Sequence, residues 1–216
     1  MAESTSVSVS REAILDAAEA LFAQQGFNAT TVKQIARAAG VNVALLYYYF
    51  GDKEALYHAV LERVISAFVT RAAAAFAASP APVDAVAALV AIQARALREH
   101  PTMARLMARE LIDHQARHAK PQISYLAANL FKRLCDTIQH GQRDGSFRDD
   151  LNPRFAAISC IAQIAYFNLA RPAVGILLGE DPSDAMYDQF AAHAAAFALS
   201  ALETRDASAL PQADGA

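Results

Sequence analysis

A chain of 216 residues with 55% hydrophobic content is too long for one small module and carries enough apolar side chain for two modest cores. Eight glycines, eight prolines, abundant alanine and no sustained apolar–polar alternation exclude a strand-rich fold. A net charge of −3 excludes a broadly basic nucleic-acid binder, and residues 1–70, with five basic and seven acidic side chains, are themselves slightly acidic.

Residues 1–9 are small and polar and lack the apolar stretch of a signal peptide, so they read as a disordered arm. A first helix is expected over 11–25, with Ser10 as N-cap. Ile14, Leu15, Ala18, Leu21 and Phe22 form its apolar stripe, and Gly26 ends it. A second helix is expected over 32–39, opened by a capping box of Thr31 and Gln34 and closed by Gly40. A third, over 43–50, follows Asn42 as N-cap, and a fourth starts after Gly51 with Asp52 as N-cap and runs to Phe76. Pro80 and Pro82 mark the next break. Helices then follow at 83–99, 102–118, 121–143, 153–177 and 183–204, separated by Pro, Gly and Asn signals. The residues from 206 to 216 read as a flexible tail. This makes an all-α chain of about nine helices.

Two short helices joined by Gly40-Val41-Asn42 have the layout of a helix-turn-helix, whose second helix enters the DNA major groove. Leu46, Phe50 and Leu45 belong to the packing side of that helix. Val43, Ala44, Tyr47 and Tyr48 point outward. Three consecutive tyrosines exceed what packing alone needs, and phenolic hydroxyls suit phosphate oxygens; Tyr49 reads instead as core.

The run Thr30-Thr31-Val32-Lys33-Gln34-Ile35-Ala36-Arg37-Ala38-Ala39-Gly40-Val41, continuing to Leu46-Tyr47-Tyr48-Tyr49-Phe50 and Lys53-Glu54-Ala55-Leu56, resembles the TetR/AcrR family of regulators over residues 10 to about 65. The resemblance implies that Thr31 caps the second helix and donates to a phosphate, and that Tyr47 and Lys53 contact phosphates. It also implies that Asn42, Val43 and Ala44, with Tyr48 beside them, form the base-reading corner. Asn42 and Ala44 stand where the family often has Ser or Thr and Gly, so the base code is not legible. Lys33 and Arg37 are further cations for the DNA backbone; either also suits a solvated helix face.

The implied organisation is a helix-turn-helix domain over 10–65, with its motif at 31–50, and a helical ligand-binding and dimerisation domain over 66–205. The implied function is a DNA-binding transcriptional regulator. As a homodimer it would bind a palindromic double-stranded operator and be released by an apolar or amphipathic small molecule; an activator, or an architectural binder without effector, is the alternative. Polar or adaptable groups on apolar faces supply the ligand candidates: Met103, Met107, Tyr125, Phe131, Gln163 and Tyr166, together with Cys135 and Asn168. The helices 153–177 and 183–204 are apolar enough to build the dimer.

No cofactor and no metal site are expected. Glu110, His114 and His118, spaced i, i+4, i+8, read as the solvated face of one helix near its end. Cys135 and Cys160 have neither CxxC nor metal spacing, which points to a reducing, cytoplasmic setting. The apolar run Phe155–Leu178 is interrupted by Gln163, Asn168, Arg171 and Pro172, so it reads as a core helix, not a membrane span. No nucleophile elbow, phosphate loop, HExxH or paired-carboxylate pattern supports an enzyme.

Overall fold

The computed structural model describes residues 2–79 and 81–204. The expected tail at 206–216 and the break at Pro80 lie outside the described residues. Among the described residues there are eleven α-helices, one π-helical turn and a single isolated β-bridge, Phe147 to Glu203. The helices are α1 (Ala2–Ala29), α2 (Val32–Ala38), α3 (Val43–Phe50), α4 (Lys53–Ala78), α5 (Pro82–Glu99), α6 (Pro101–His114), α7 (Lys120–Leu126), α8 (Lys132–Asp144), α9 (Pro153–Leu169), α10 (Arg171–Leu178) and α11 (Asp184–Leu202).

The count exceeds nine because two expected helices are interrupted. The segment 121–143 contains a π turn at Ala127–Phe131. The segment 153–177 bends by 82° between α9 and α10, where Pro172 withdraws a backbone donor from the helix ladder. No single helix among the described residues is long and apolar enough to cross a membrane. At the other end, helix α1 begins at Ala2 instead of after Ser10, because no proline or glycine in the preceding run stops it. Helix α6 stops at His114, short of 118, at the left-handed residues Gln115 and Ala116.

The chain forms two compact units. One joins Met1–Arg71 with Arg95–Ala128; the other joins Ala72–Ala94 with Asn129–Ala216. By contact, residues 95–128 group with the N-terminal helices. The reason is α6. Its Leu106 is fully buried in one core with Ile14, Leu15, Ala18, Phe22, Ile35, Leu46, Leu56, Tyr57, Val60 and Leu61, and Met107 packs against that core. A three-helix module leaves the outer side of α1 bare, and α6 covers it.

The second unit is built on α8, α9 and α11. Phe167 stacks on Phe190 at 4.1 Å and meets Tyr187 edge-on at 5.5 Å. The Asn168 amide donates to the Tyr187 hydroxyl at 2.7 Å. Cys135 and Cys160 are buried free thiols, and burial pushes the Cys160 thiol up to about 11, which makes it a packing group and not a nucleophile. Gly141 allows the Phe147 ring to lie flat against α8; a Cβ there would fall 2.2 Å from the ring. Gly141→Ala is therefore expected to lower the melting temperature by about 3–8 °C through an overpacking cost of roughly 1–3 kcal/mol, measured by thermal circular dichroism. Unchanged melting would show that Phe147 moves freely.

Candidate nucleic-acid interface

The geometry of the helix-turn-helix starts at the end of α1. Gly26 has φ 83° and ψ 171°, a conformation open essentially to glycine alone. It interrupts the helical ladder and frees the carbonyls around it. Three side chains satisfy them. The buried Thr30 hydroxyl donates to Gly26 O at 2.7 Å. The Arg109 guanidinium, from α6, donates to Ala23 O at 3.2 Å and Gln24 O at 2.8 Å. The Lys53 ammonium, from α4, donates to Phe27 O at 3.0 Å and Thr30 O at 3.1 Å, and sits 4.3 Å from the centre of the Phe27 ring. Cations at a helix C-terminus also complement its dipole.

Helix α2 begins with the full capping box: the Thr31 hydroxyl accepts from Gln34 N–H, and the Gln34 side chain accepts from Thr31 N–H at 2.8 Å. Helix α3 begins with Asn42 Oδ1 accepting from Leu45 N–H at 2.7 Å, and α4 with Asp52 Oδ1 accepting from Ala55 N–H at 2.7 Å. All three caps agree with the sequence reading, because each is decided by residues three apart. Ser10, by contrast, lies inside α1 and not at its start.

On α3, Leu46 is fully buried, and Leu45, Tyr49 and Phe50 are half-buried; Tyr49 and Phe50 pack on the first unit's core. Ala44, Tyr47 and Tyr48 are exposed, with Val43 half-buried and Asn42 exposed. Tyr48 is 80% exposed and Tyr47 49%, a heavy exposure for aromatic rings that a packing role leaves unexplained. Lys33 and Arg37 are exposed on α2. Thr31 is exposed at its N-terminus. Lys53 is the departure: its ammonium is held inside the unit by two carbonyls and a ring, so its first role is structural.

Arg11 was not legible as part of this surface. Its guanidinium lies 5.3 Å above the Phe50 ring, which brings a cation from α1 to the C-terminal end of α3. No local sequence signal connects positions 11 and 50. Arg11 also pairs with Glu12 at 3.2 Å, while Arg63 of α4 binds Asp16 at 2.7 Å and Glu19 at 2.6 Å and reaches Glu12 at 3.5 Å. The domain's negative balance is thus partly consumed in one internal ion network.

Within each unit the ligand candidates occupy different places. In the first unit, Met107 packs against the core of the helix-turn-helix. Met103 is buried beside a cavity of about 330 Å³ that also touches Arg63, Arg71 and His100. Tyr125 lines a different one of about 400 Å³ with Glu62, Ile65 and Gln122. In the second unit, Gln163 lines a groove of about 430 Å³ with Phe155, Cys160 and Phe197. Phe131 is half-buried in the π turn, whereas Tyr166 is 61% exposed. Apolar spacing along a helix does not by itself say which neighbour a side chain meets.

Glu110, His114 and His118 also differ from expectation. They are not a solvated face of one helix: Glu110 is fully buried, His118 is buried, and His118 lies beyond the end of α6. The Tyr57 hydroxyl donates to Glu110 Oε2 at 3.0 Å, and burial together with the Glu110 charge raises the Tyr57 pKa above its ordinary value.

Comparison with known proteins agrees with this picture. Residues 14–60 match the family described as bacterial regulatory proteins, tetR family, and residues 82–202 match the tetracyclin repressor-like C-terminal domain. The HTH-type transcriptional repressor NicS of Pseudomonas putida is 31% identical over 176 residues, covering 81% of this chain and 82% of NicS. The HTH-type transcriptional regulator RutR of Escherichia coli is 38% identical over 109 residues, covering 50% of this chain and 51% of RutR. A tetR-family regulatory protein from Rhodococcus RHA1 has the same fold, with a TM-score of 0.74 at 20% identity, covering 91% of this chain and 98% of its own.

Tyr47→Phe is expected to weaken DNA binding about fivefold, the loss of roughly 1 kcal/mol from one hydroxyl hydrogen bond, with melting unchanged. Lys53→Ala is expected to lower stability by about 2 kcal/mol, since it leaves two carbonyls without their charged donor. Gel shifts alongside thermal melts separate the two; a Lys53→Ala protein with wild-type melting would remove the structural assignment.

Proposed function

The chain belongs to the tetR family of bacterial regulatory proteins, and on that premise we propose that it is a repressor that binds a palindromic operator as a homodimer and is released by a small apolar or amphipathic molecule. The observation that carries the DNA-binding part is the pair of exposed rings, Tyr47 and Tyr48, on a short helix whose start is fixed by Asn42. Thr31, Lys33, Tyr47, Tyr48 and Arg11 supply the backbone contacts, and Asn42, Val43 and Ala44 face base edges. Lys53 keeps a third ammonium donor beyond the two carbonyls it holds and contributes charge at the start of α4.

A stripe of exposed apolar side chains on the second unit supports the homodimer. Phe155, Ile158, Tyr166 and Leu169 fall on one side of α9, and Phe197 on α11 is exposed as well. Large side chains aligned this way call for a covering surface, and a two-fold copy of the same helices supplies one. Two copies of α3 would then address major-groove turns about 34 Å apart.

The effector reading rests on Gln93 of α5. Its amide donates to Ile161 O at 3.0 Å, while its buried carbonyl oxygen has no hydrogen-bond partner among the described residues. An orphan acceptor inside an apolar bundle suits a ligand that brings one donor on an apolar frame.

Phe155→Asp combined with Phe197→Asp is expected to give a monomer by light scattering and at least a tenfold loss of operator affinity. Footprinting of the wild type should protect two symmetric half-sites. A variant that remains dimeric would move the interface away from α9 and α11.

A further inference from the structure

The turn after α6 is built around a buried carboxylate. Gln115 and Ala116 both adopt left-handed conformations, with φ of 52° and 62°, and neither is glycine. Two such residues in succession carry strain that the surrounding contacts must offset. The turn folds back and delivers the N–H groups of His118 and Ala119 to Glu110 Oε1 at 2.6 and 3.1 Å. The other oxygen, Oε2, accepts from Tyr57 of α4 and stands 3.3 Å from His118 Nδ1. The Glu110 carboxyl group is fully buried, and the side chain beside it is an imidazole instead of a lysine or arginine. Arg109, next in sequence, is turned away onto the α1 carbonyls.

His114 completes a cluster. One ligand atom from each of Glu110, His114 and His118 lies within 4.8 Å of the others, and the His114 and His118 rings meet edge-on at 4.8 Å. Two donors on one tetrahedral ion, bound at about 2.1 Å each, are roughly 3.4 Å apart. The Glu110 Oε2 to His118 Nδ1 separation of 3.3 Å already has that value. The half-buried His114, in the last turn of α6, places a ring nitrogen within 4.8 Å of both.

We propose that Glu110 Oε2, His118 and His114 form a binding site for a divalent transition-metal ion of the zinc type. Two imidazoles and a carboxylate are the donors such ions take, whereas magnesium and calcium call for oxygen ligands. The outer partners that a metal-ligating carboxylate needs are in place: two backbone N–H groups fix Oε1, and the Tyr57 hydroxyl orients Oε2. A divalent ion there offsets the charge of a carboxylate that is otherwise costly to bury. It also ties α6 to Tyr57 of α4, next to the Phe27 ring that follows Gly26, 4.9 Å from the His118 ring.

The test is independent of DNA binding. Zn²⁺ is titrated calorimetrically into the metal-stripped full-length protein, and Co²⁺ is added separately to read ligand-field absorption. One ion per chain with micromolar or tighter affinity is expected, and a melting temperature raised by about 5 °C at a hundredfold excess over Kd. Mg²⁺ should produce no shift. Glu110→Gln and His114→Ala should each abolish the Co²⁺ spectrum; should Glu110→Gln not fold, His114→Ala, at a half-buried helix end, decides. Absence of Zn²⁺ binding by the wild type, an equal response to Mg²⁺, or a folded His114→Ala protein that keeps the wild-type stoichiometry and spectrum would overturn the site.

Discussion

The end of α1 is the constraint on which the first unit depends. A helix that stops at Gly26 leaves carbonyls that must find donors, and buried carbonyls left alone are costly. Here the donors come from three separate stretches: Thr30 in the following loop, Lys53 at the start of α4 and Arg109 on α6. Each bond fixes one element against α1. Thr30 sets where α2 begins, Lys53 sets where α4 leaves α3, and Arg109 draws α6 into a unit that the sequence pattern assigns elsewhere. The placement of α3, and so of Tyr47 and Tyr48, follows from that one interrupted helix.

This explains how much was legible. Local signals were read correctly: the Thr31–Gln34 box, the Asn42 and Asp52 caps, and the fully buried Leu46 of α3 all depend on residues a turn apart. The all-α fold and the family followed from the same local pattern. What was not legible was long-range. Nothing near position 53 says that its ammonium is spoken for by residues 27 and 30, and nothing near position 11 announces the ring at 50. The i, i+4, i+8 spacing of Glu110, His114 and His118 assumed an unbroken helix, and the left-handed pair at 115 and 116 cannot be inferred from Gln and Ala. The surroundings of each ligand candidate were hidden for the same reason: a stripe on a helix has no address until its neighbour is known.

Charge had pointed the other way from function. A slightly acidic domain is a poor electrostatic partner for DNA if its charges are spread evenly. They are not. Arg63 gathers Glu12, Asp16 and Glu19 into one network between α1 and α4, while Lys33, Arg37 and Arg11 stay on or near the two helices of the motif. In the proposed complex a few positioned groups, not a field, would do the work, and such a surface loses affinity less steeply as salt rises than a broad basic patch would.

The capping box at Thr31 bears on the proposed phosphate contact there. Its hydroxyl is fully committed: it accepts from Gln34 N–H at 3.2 Å and donates to Gln34 Oε1 at 2.8 Å. An incoming phosphate oxygen cannot simply add to it; it must take the place of the glutamine amide. In the proposed complex, docking at this point would be an exchange of acceptors, a neutral one for a charged one, with only their difference in strength favouring the complex.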